Sequence, residues 1–419
     1  MLTWKKQALI GLAFAVGVLS WAHATETVVS EEACTLEGFS RPLRQTIVVI
    51  DELAIEPWTN GEMSDGNRRW INAVIGLAGV QEGQRNENAA PRERITVLLA
   101  RVNGSDLVRV FTGCPPTFSR EEFGGLDANS TGLKRAFNEW LGKDARSRVE
   151  ADQKAFRLKL LGALVQLTKD AVKTKLTESA FLSLLPDLGR SFDLGSGIPR
   201  IVIFSPLVLV NGNFDNKAAA REAGFKQASR YAADLKRAEV YVVRGKHEAS
   251  GLARDYVSAL LLGSKGFLVG VSGETLPALQ EPPQMVAVYG GFASYGLVNA
   301  PMQIRLAVDS SGSLVNSWVE VSVDKATATP MTGKAICKGA NLDNCTIQGD
   351  GKDFSQAWAV DPDPNKPTFD QKLPFSGIRW FQFTTSPKGV NGNFYDPMVI
   401  VNKQKEMPFD LATTAHVKF

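Results

Sequence analysis

The feature that most constrains this chain is a regular alternation, between about residues 44 and 276, of short apolar runs with segments that repeat apolar residues at helical spacing. Residues 46–51 are β-branched and apolar on both faces, which is typical of a central strand in a buried sheet. Residues 201–204, 240–243 and 267–271 form similar runs. Because strands that alternate with amphipathic helices form mostly parallel sheets, the sequence predicts an α/β domain with helices on both faces of its sheet.

Helical spacing is clearest in four segments, at residues 67–79, 156–172, 225–235 and 252–262. In the first of these, Trp70, Val74 and Ala78 share one stripe, as expected for a helix packed against a sheet. Between the first two helices, residues 94–99 and 107–111 are joined through Asn103-Gly104, a pair that readily adopts the positive φ angles of a tight turn. The sequence therefore predicts one antiparallel hairpin at the edge of the sheet.

The pattern changes at a Pro-rich linker, residues 277–283, after which the helical spacing is lost. Apolar and polar residues alternate at 304–308 and 319–323, and residues 378–383 and 398–401 are further predicted strands. We expect residues 284–419 to form a smaller all-β domain that resembles a β-sandwich. Its aromatic residues, which either fill its core or bind sugars or a protein partner, are Tyr289, Phe292, Tyr295, Trp318, Trp358, Trp380 and Phe381.

Residues 1–24 have the pattern of a secretory signal peptide. Lys5 and Lys6 precede an apolar stretch at residues 8–21, and Ala22 and Ala24 place small residues where a signal peptidase requires them. We expect cleavage after Ala24, a lead-in over residues 25–43, and a mature protein that is periplasmic or secreted.

Export would place the four cysteines in an oxidising compartment, where disulfides form. Cys337 and Cys345 flank a short Gly/Asn/Asp-rich loop that a disulfide could close. Cys34 and Cys114 could pair if the chain before the first strand lies near the end of a later strand. Four cysteines allow three pairings, and the spacing does not choose among them.

The strand that ends in Asp51, the antiparallel hairpin and the strand that leads to Ser205 resemble a von Willebrand factor A-type domain over residues 44–276, closest to the divergent A-like domains of exported bacterial proteins. The resemblance implies a Rossmann-like sheet whose upper edge binds other proteins, often through a metal held by Asp-x-Ser-x-Ser and a later Asp. Here Leu53 and Ile55 stand at the serine positions, so we expect no metal.

Ligands of open α/β sheets bind at the carboxyl ends of parallel strands, which makes that edge the expected binding edge here. Four residues near this edge are the candidate site: Asp51, Glu52, Glu56 and Ser205. Asp51 with Glu52 or Glu56 could form a different cation site, although the sequence favours an Asp51 that accepts backbone N–H bonds.

Other functional classes lack their motifs. The net charge of +3 provides no basic field for nucleic acid, and no glycine-rich phosphate loop follows a strand, which argues against nucleotide binding. No Gly-x-Ser-x-Gly elbow is present, and the chain has three histidines. The sequence predicts an exported, non-enzymatic adhesion or envelope-assembly protein without a cofactor, which binds an envelope or surface protein and reaches a membrane only through that partner. The alternatives are a glycan-binding adhesin that uses the β domain and a secreted acid- or metal-dependent hydrolase.

Overall fold

The structure is a computed structural model. It describes residues 28–30, 44–78, 93–102, 107–116, 145–170, 179–192, 198–208, 214–245, 251–277, 279, 283–295, 298–322, 326–338, 342–351, 380–395 and 407–418.

The first part of the chain forms a seven-stranded, mostly parallel sheet, which confirms the predicted α/β class. In the sheet order β1-β4-β3-β2-β5-β6-β7, only β4 and its parallel neighbour β1 run against the other strands. The β3–β4 pair is the predicted antiparallel hairpin, although its Asn103-Gly104 turn lies outside the described residues. The predicted edge position is wrong, because β1 pairs with the outer side of β4. The strands are β1 (Val28–Ser30), β2 (Arg44–Asp51), β3 (Arg94–Ala100), β4 (Leu107–Gly113), β5 (Ile198–Phe204), β6 (Glu239–Val243) and β7 (Phe267–Ser272).

Helices cover both faces of this sheet. Side chains of β2 alternate between two cores: Val48 and Ile50 pack with Trp70 on one face, and Ile47 and Val49 pack with Leu185 on the other. No helix in the described part of the chain is both long and apolar enough to cross a membrane. The helices are α1 (Asp65–Leu77), α2 (Ala145–Lys169), α3 (Leu185–Arg190), α4 (Lys217–Tyr231) and α5 (Gly251–Gly263). Together with β1–β7 they make up the sheet domain.

The remaining strands close into one eight-stranded antiparallel barrel, not the expected sandwich. Each strand pairs with the next in the chain, and β15 pairs back onto β8. Inward side chains such as Ile304, Phe381 and Phe383 fill the interior. The predicted strand at 398–401 lies outside the described residues. The barrel domain consists of β8 (Met285–Tyr295), β9 (Val298–Val308), β10 (Ser317–Ser322), β11 (Ala326–Cys337), β12 (Cys345–Gly351), β13 (Trp380–Ser386), β14 (Gly389–Tyr395) and β15 (Met407–Lys418).

The described cysteines form disulfides. Cys337 and Cys345 are bonded to each other, and they are directly opposite residues of β11 and β12. Cys114 is buried and disulfide-bonded, while Cys34, the partner considered from the sequence, lies outside the described residues. The structure therefore agrees with the predicted loop closure in the barrel domain.

Buried charges occupy the amino edge of the parallel sheet, where β2, β3 and β5 begin. The Glu93 carboxylate accepts hydrogen bonds from Arg44 Nη2 at 2.8 Å and Arg200 Nη2 at 2.7 Å, and all three side chains are buried. Burial alone would raise the pKa of Glu93, but Arg200 and Arg44 overcome this effect and lower it. Each charge is thus paired at a depth where an isolated charge would be strongly unfavourable.

The network continues through Glu239 at the start of β6 to the barrel domain. Burial raises the pKa of Glu239, and its attraction to Arg44, Arg200 and Arg305 of β9 opposes that rise. Arg305 donates to the backbone oxygen of Arg237 at 3.3 Å, and Arg237 forms an ion pair with Glu320 of β10. The barrel therefore sits against the amino edge of the sheet through buried polar contacts.

An aromatic side chain lies at the centre of this interface. Trp318 of β10 packs against Phe267 and Ala259 of the sheet domain, and its ring lies 5.6 Å from the Arg237 guanidinium and 5.4 Å from that of Arg305. Both distances permit cation–π attraction. Trp318 is thus buried at the domain interface and lies outside the barrel core.

We expect Glu320→Ala to lower the free energy of unfolding by about 3 kcal/mol, because it leaves the buried Arg237 guanidinium without its carboxylate. Urea unfolding measures the change. The matched control is Arg68→Ala, which removes an exposed pair with Asp65 and should cost less than about 1 kcal/mol. Equal losses for both variants would contradict the assigned role of the interface pair.

Candidate functional site

The carboxyl edge of the sheet lies opposite the edge that carries the barrel. In the sheet, β2 lies between β3 and β5. The chain places β3 and β4 on one side of β2 and then β5, β6 and β7 on the other side, so the strand order reverses between β2 and β5. Ligands of open α/β sheets gather outside the carboxyl ends of strands at such a reversal. Asp51 ends β2 and Ser205 follows β5, so both predicted residues lie at this position.

Asp51 and Ser205 are joined by a hydrogen bond. Ser205 Oγ donates to Asp51 Oδ2 at 2.7 Å, and Leu53 N donates to Asp51 Oδ1 at 3.1 Å. Ser205 Oγ also lies 3.0 Å from the hydroxyl of Ser179, which accepts from the backbone N–H of Val208. These contacts tie the loops after β2 and β5 to the segment before α3, and we define Asp51, Ser179 and Ser205 as the buried hydroxyl cluster.

The Asp51 carboxylate is fully buried, with an exposed fraction of 0%. Burial raises the pKa of this carboxyl to about 6, and the hydrogen bonds from Ser205 and Leu53 limit the rise. Asp51 thus accepts a backbone N–H at a strand end, which is the role that the sequence favoured. In its buried position it holds the edge in place and does not touch solvent.

Glu52 and Glu56 do not join this cluster. Glu52 accepts from the backbone N–H of Val102 at 2.8 Å, beyond the end of β3. Glu56 is exposed, and its carboxylate lies over Gly66 so closely that a Cβ at position 66 would stand 2.5 Å from Glu56 Oε1. Within the described ranges, no group of three or more His, Cys, Asp or Glu residues could hold a metal ion.

A cleft opens at the same edge on the face of the sheet that α1 covers. Its cavity volume is about 80 Å³, and the whole opening, including the space open to solvent, is about 580 Å³. Its apolar lining includes Leu53, Trp70 and Phe204, and its rim carries an ion pair in which Arg69 Nη2 lies 3.1 Å from Glu274 Oε1. The lining residues are Leu53, Ala54, Glu56, Gly66, Arg69, Trp70, Phe204, Val243, Arg244, Gly245 and Glu274. We call this the carboxyl-edge cleft.

One buried amide fixes the wall of this cleft. Asn67 Nδ2 donates to the backbone oxygen of Glu56 at 2.6 Å, while Asn67 Oδ1 accepts from Glu56 N at 3.0 Å and from Trp70 Nε1 at 3.1 Å. Ser64 caps α1 by accepting from Asn67 N. The loop that carries Glu56 is therefore held against the first turn of α1, and the position of Glu56 is set by the fold.

Sequence reasoning missed Ser179, Asn67, Arg69 and Glu274. Ser64, an N-cap residue type just before an apolar stripe, is a helix-start signal, and it could have indicated a structured loop ahead of α1. No local pattern marks Arg69 or Glu274, which are 205 positions apart in the chain and meet only after β7 docks beside β6.

No protein-family model matches this chain, and no curated protein matches it at a significant level. The geometry of the site is therefore the basis for its interpretation.

We expect the free energy of unfolding of the wild type to rise, relative to that of the Asp51→Asn variant, as the pH falls from 7 to 4. The folded protein holds the Asp51 proton up to a pH of about 6 and the unfolded chain only up to about 4, so protons stabilise the folded state in this window. The expected relative gain over this range is about 2 kcal/mol, because the unfolded chain is itself partly protonated at Asp51 by pH 4.

Urea unfolding of both proteins at pH 4, 5, 6 and 7 measures this difference. The comparison cancels the titration of every carboxyl other than Asp51, because both proteins contain all the others. A wild-type advantage that stays constant across the four pH values would show that burial does not shift this group.

Proposed function

We propose that this chain is an exported, non-enzymatic interaction protein that binds an envelope or surface protein at the carboxyl edge of its sheet. The leader pattern of residues 1–24 supports export. The Cys337–Cys345 disulfide is compatible with an oxidising compartment outside the cytosol. On this proposal the mature protein is periplasmic or secreted and reaches a membrane only through its partner.

A von Willebrand factor A-like identity for the sheet domain is part of the proposal. Support comes from the strand order β4-β3-β2-β5-β6-β7, in which β4 is antiparallel to β3 and only the three-residue β1 pairs beyond it, and from Asp51 and Ser205 on either side of the reversal point. The apolar residues Leu53 and Ile55 at the expected serine positions support a form that recognises its partner without a metal ion.

The carboxyl-edge cleft is the observation that carries this proposal. Its apolar lining, with Leu53 and Phe204, can receive an apolar side chain of a partner, and burial of such an anchor is the main source of binding energy in protein interfaces. The Arg69–Glu274 pair at the rim offers both signs of charge, which orient a partner segment and set its register. The cleft therefore suits a protein segment with one apolar anchor flanked by charged residues.

We expect Glu274→Arg to weaken partner binding by more than about 10-fold, because it reverses the rim charge and repels Arg69. The full-length mature chain captures its partner from the envelope fraction of its own cell. That partner is then identified and purified, and its dissociation constant is measured by calorimetry.

The matched control is Glu222→Arg, which makes the same charge change on an exposed position of α4, away from the cleft. It should leave the dissociation constant within about 2-fold of the wild type, a difference smaller than the effect of one lost hydrogen bond. Equal binding by wild type, Glu274→Arg and Glu222→Arg would reject the cleft as the binding site.

A further inference from the structure

The carboxyl-edge cleft has a charged group on its wall as well as apolar side chains. The carboxylate of Glu56 lies against Gly66 in the first turn of α1, and both residues line the cleft. A Cβ at position 66 would lie 2.5 to 2.8 Å from the carboxyl carbon and both oxygens, so the glycine leaves the space that the carboxylate occupies. Asn67 holds the backbone of Glu56 through two hydrogen bonds. The fold thus provides a defined place for this carboxylate.

The Glu56 carboxylate has no cationic side chain paired with it. It forms no ion pair and no hydrogen bond with any residue in the part of the chain that the structure describes. Two arginines also line the cleft, but Arg69 is paired with Glu274 at 3.1 Å and Arg244 has a contact of its own within the chain. The positive end of the α1 dipole stabilises the carboxylate without neutralising it. Glu56 is therefore a fixed negative charge that can meet a cation from outside.

The rest of the cleft suits an aliphatic chain. Leu53, Phe204 and Val243 give it apolar walls. Its cavity volume of about 80 Å³ is about half that of an apolar cavity of about 150 Å³ that admits benzene. An unbranched methylene stem is narrower than a ring and buries apolar surface along its length. The cleft therefore combines apolar walls for a stem with a carboxylate for a charged end group.

We propose that the carboxyl-edge cleft takes a lysine side chain of the protein partner, with its stem between the apolar walls and its ammonium at the Glu56 carboxylate. Lysine has the flexible four-carbon stem and terminal cation that this combination requires. An acidic anchor would meet the like charge of Glu56, and an aromatic ring would exceed the cavity volume. The inference rests on the function proposed above, because it names the anchor of the partner that the cleft binds.

The first test changes only the ligand. Nα-acetyl-lysine methylamide is titrated into the full-length mature protein, and the NMR signal of the Trp70 indole N–H, assigned with Trp70→Phe, reports binding because Trp70 lines the cleft. The matched probe is Nα-acetyl-norleucine methylamide, which keeps the four-carbon stem and lacks the ammonium. We expect a dissociation constant in the millimolar range for the lysine probe, as for a fragment of its size, and about 10-fold weaker binding of the norleucine probe. Equal affinities would overturn the proposal.

The second test changes the protein. Glu56→Gln should weaken binding of the lysine probe about 10-fold, because it removes the charge that holds the ammonium. The matched control is Glu62→Gln, which makes the same change at an exposed position of the same loop outside the cleft lining and should bind as the wild type does. Unchanged binding by Glu56→Gln would overturn the proposal.

Gly66→Ala is a further variant that keeps the charge of Glu56 but displaces its carboxylate. Alanine has a higher helix propensity than glycine, so this variant should remain folded, which circular dichroism and the urea midpoint check. We expect it to bind the lysine probe about 5-fold more weakly than the wild type, as for the loss of about one hydrogen bond. Wild-type affinity in this variant would contradict the assigned position of the ammonium and overturn the proposal.

The probe titration needs no partner, so its result is independent of the Glu274→Arg experiment. If the lysine probe does not bind but Glu274→Arg still weakens partner binding, the cleft binds its partner through another anchor and only the lysine assignment is overturned. Tighter binding of the free diamine cadaverine than of the lysine probe would assign the site to a small amine and would also overturn a lysine side chain as the ligand.

Discussion

The buried ionic network at the amino edge of the sheet is the interaction on which the arrangement of the molecule depends. Glu93, Arg44 and Arg200 are fully desolvated, so each charge requires its partners in place. The same chain of contacts reaches Arg305 and Glu320 in the barrel domain. Two apolar surfaces can pack together in several relative positions, but paired buried charges permit few other arrangements of the two domains. The network thus favours one docking geometry over many, a role in specificity more than in net stability.

This docking determines which surfaces remain open. Because the barrel covers the amino edge, the carboxyl-edge cleft at the opposite edge remains exposed. The buried hydroxyl cluster then acts as internal support for the cleft: Asp51 holds Leu53 N, and Ser205 holds Leu207 N at 3.2 Å.

The sequence predicted the sheet domain better than the barrel. Central strands such as β2 and β5 are buried on both faces, so their continuous apolar runs are visible without knowledge of their neighbours. Barrel strands show one apolar face only, and β14 contains Gly389 and Gly392, which indicate turns when considered alone. The choice between a sandwich and a barrel depends on the pairing of β15 with β8, which joins residues more than a hundred positions apart. Alternation is the same in both architectures, so no local pattern distinguishes them.

For the candidate site too, one part of the arrangement was predictable from the sequence and another part was not. Asp51 and Ser205 were predictable because a polar residue directly after a buried apolar run must lie at the edge of the sheet, and the carboxyl ends of parallel strands share one edge. Which of the two faces each residue occupies was not predictable, and the structure places Asp51 among loops on one face and Glu56 in the cleft on the other. The residues between them explain the difference. Leu53 lines the cleft and Ile55 is buried in the core beneath α1, so positions that would offer hydroxyl ligands in the resembling family provide apolar surface here. On the proposed function, this edge therefore offers an apolar anchor pocket where the resemblance would place an ion site.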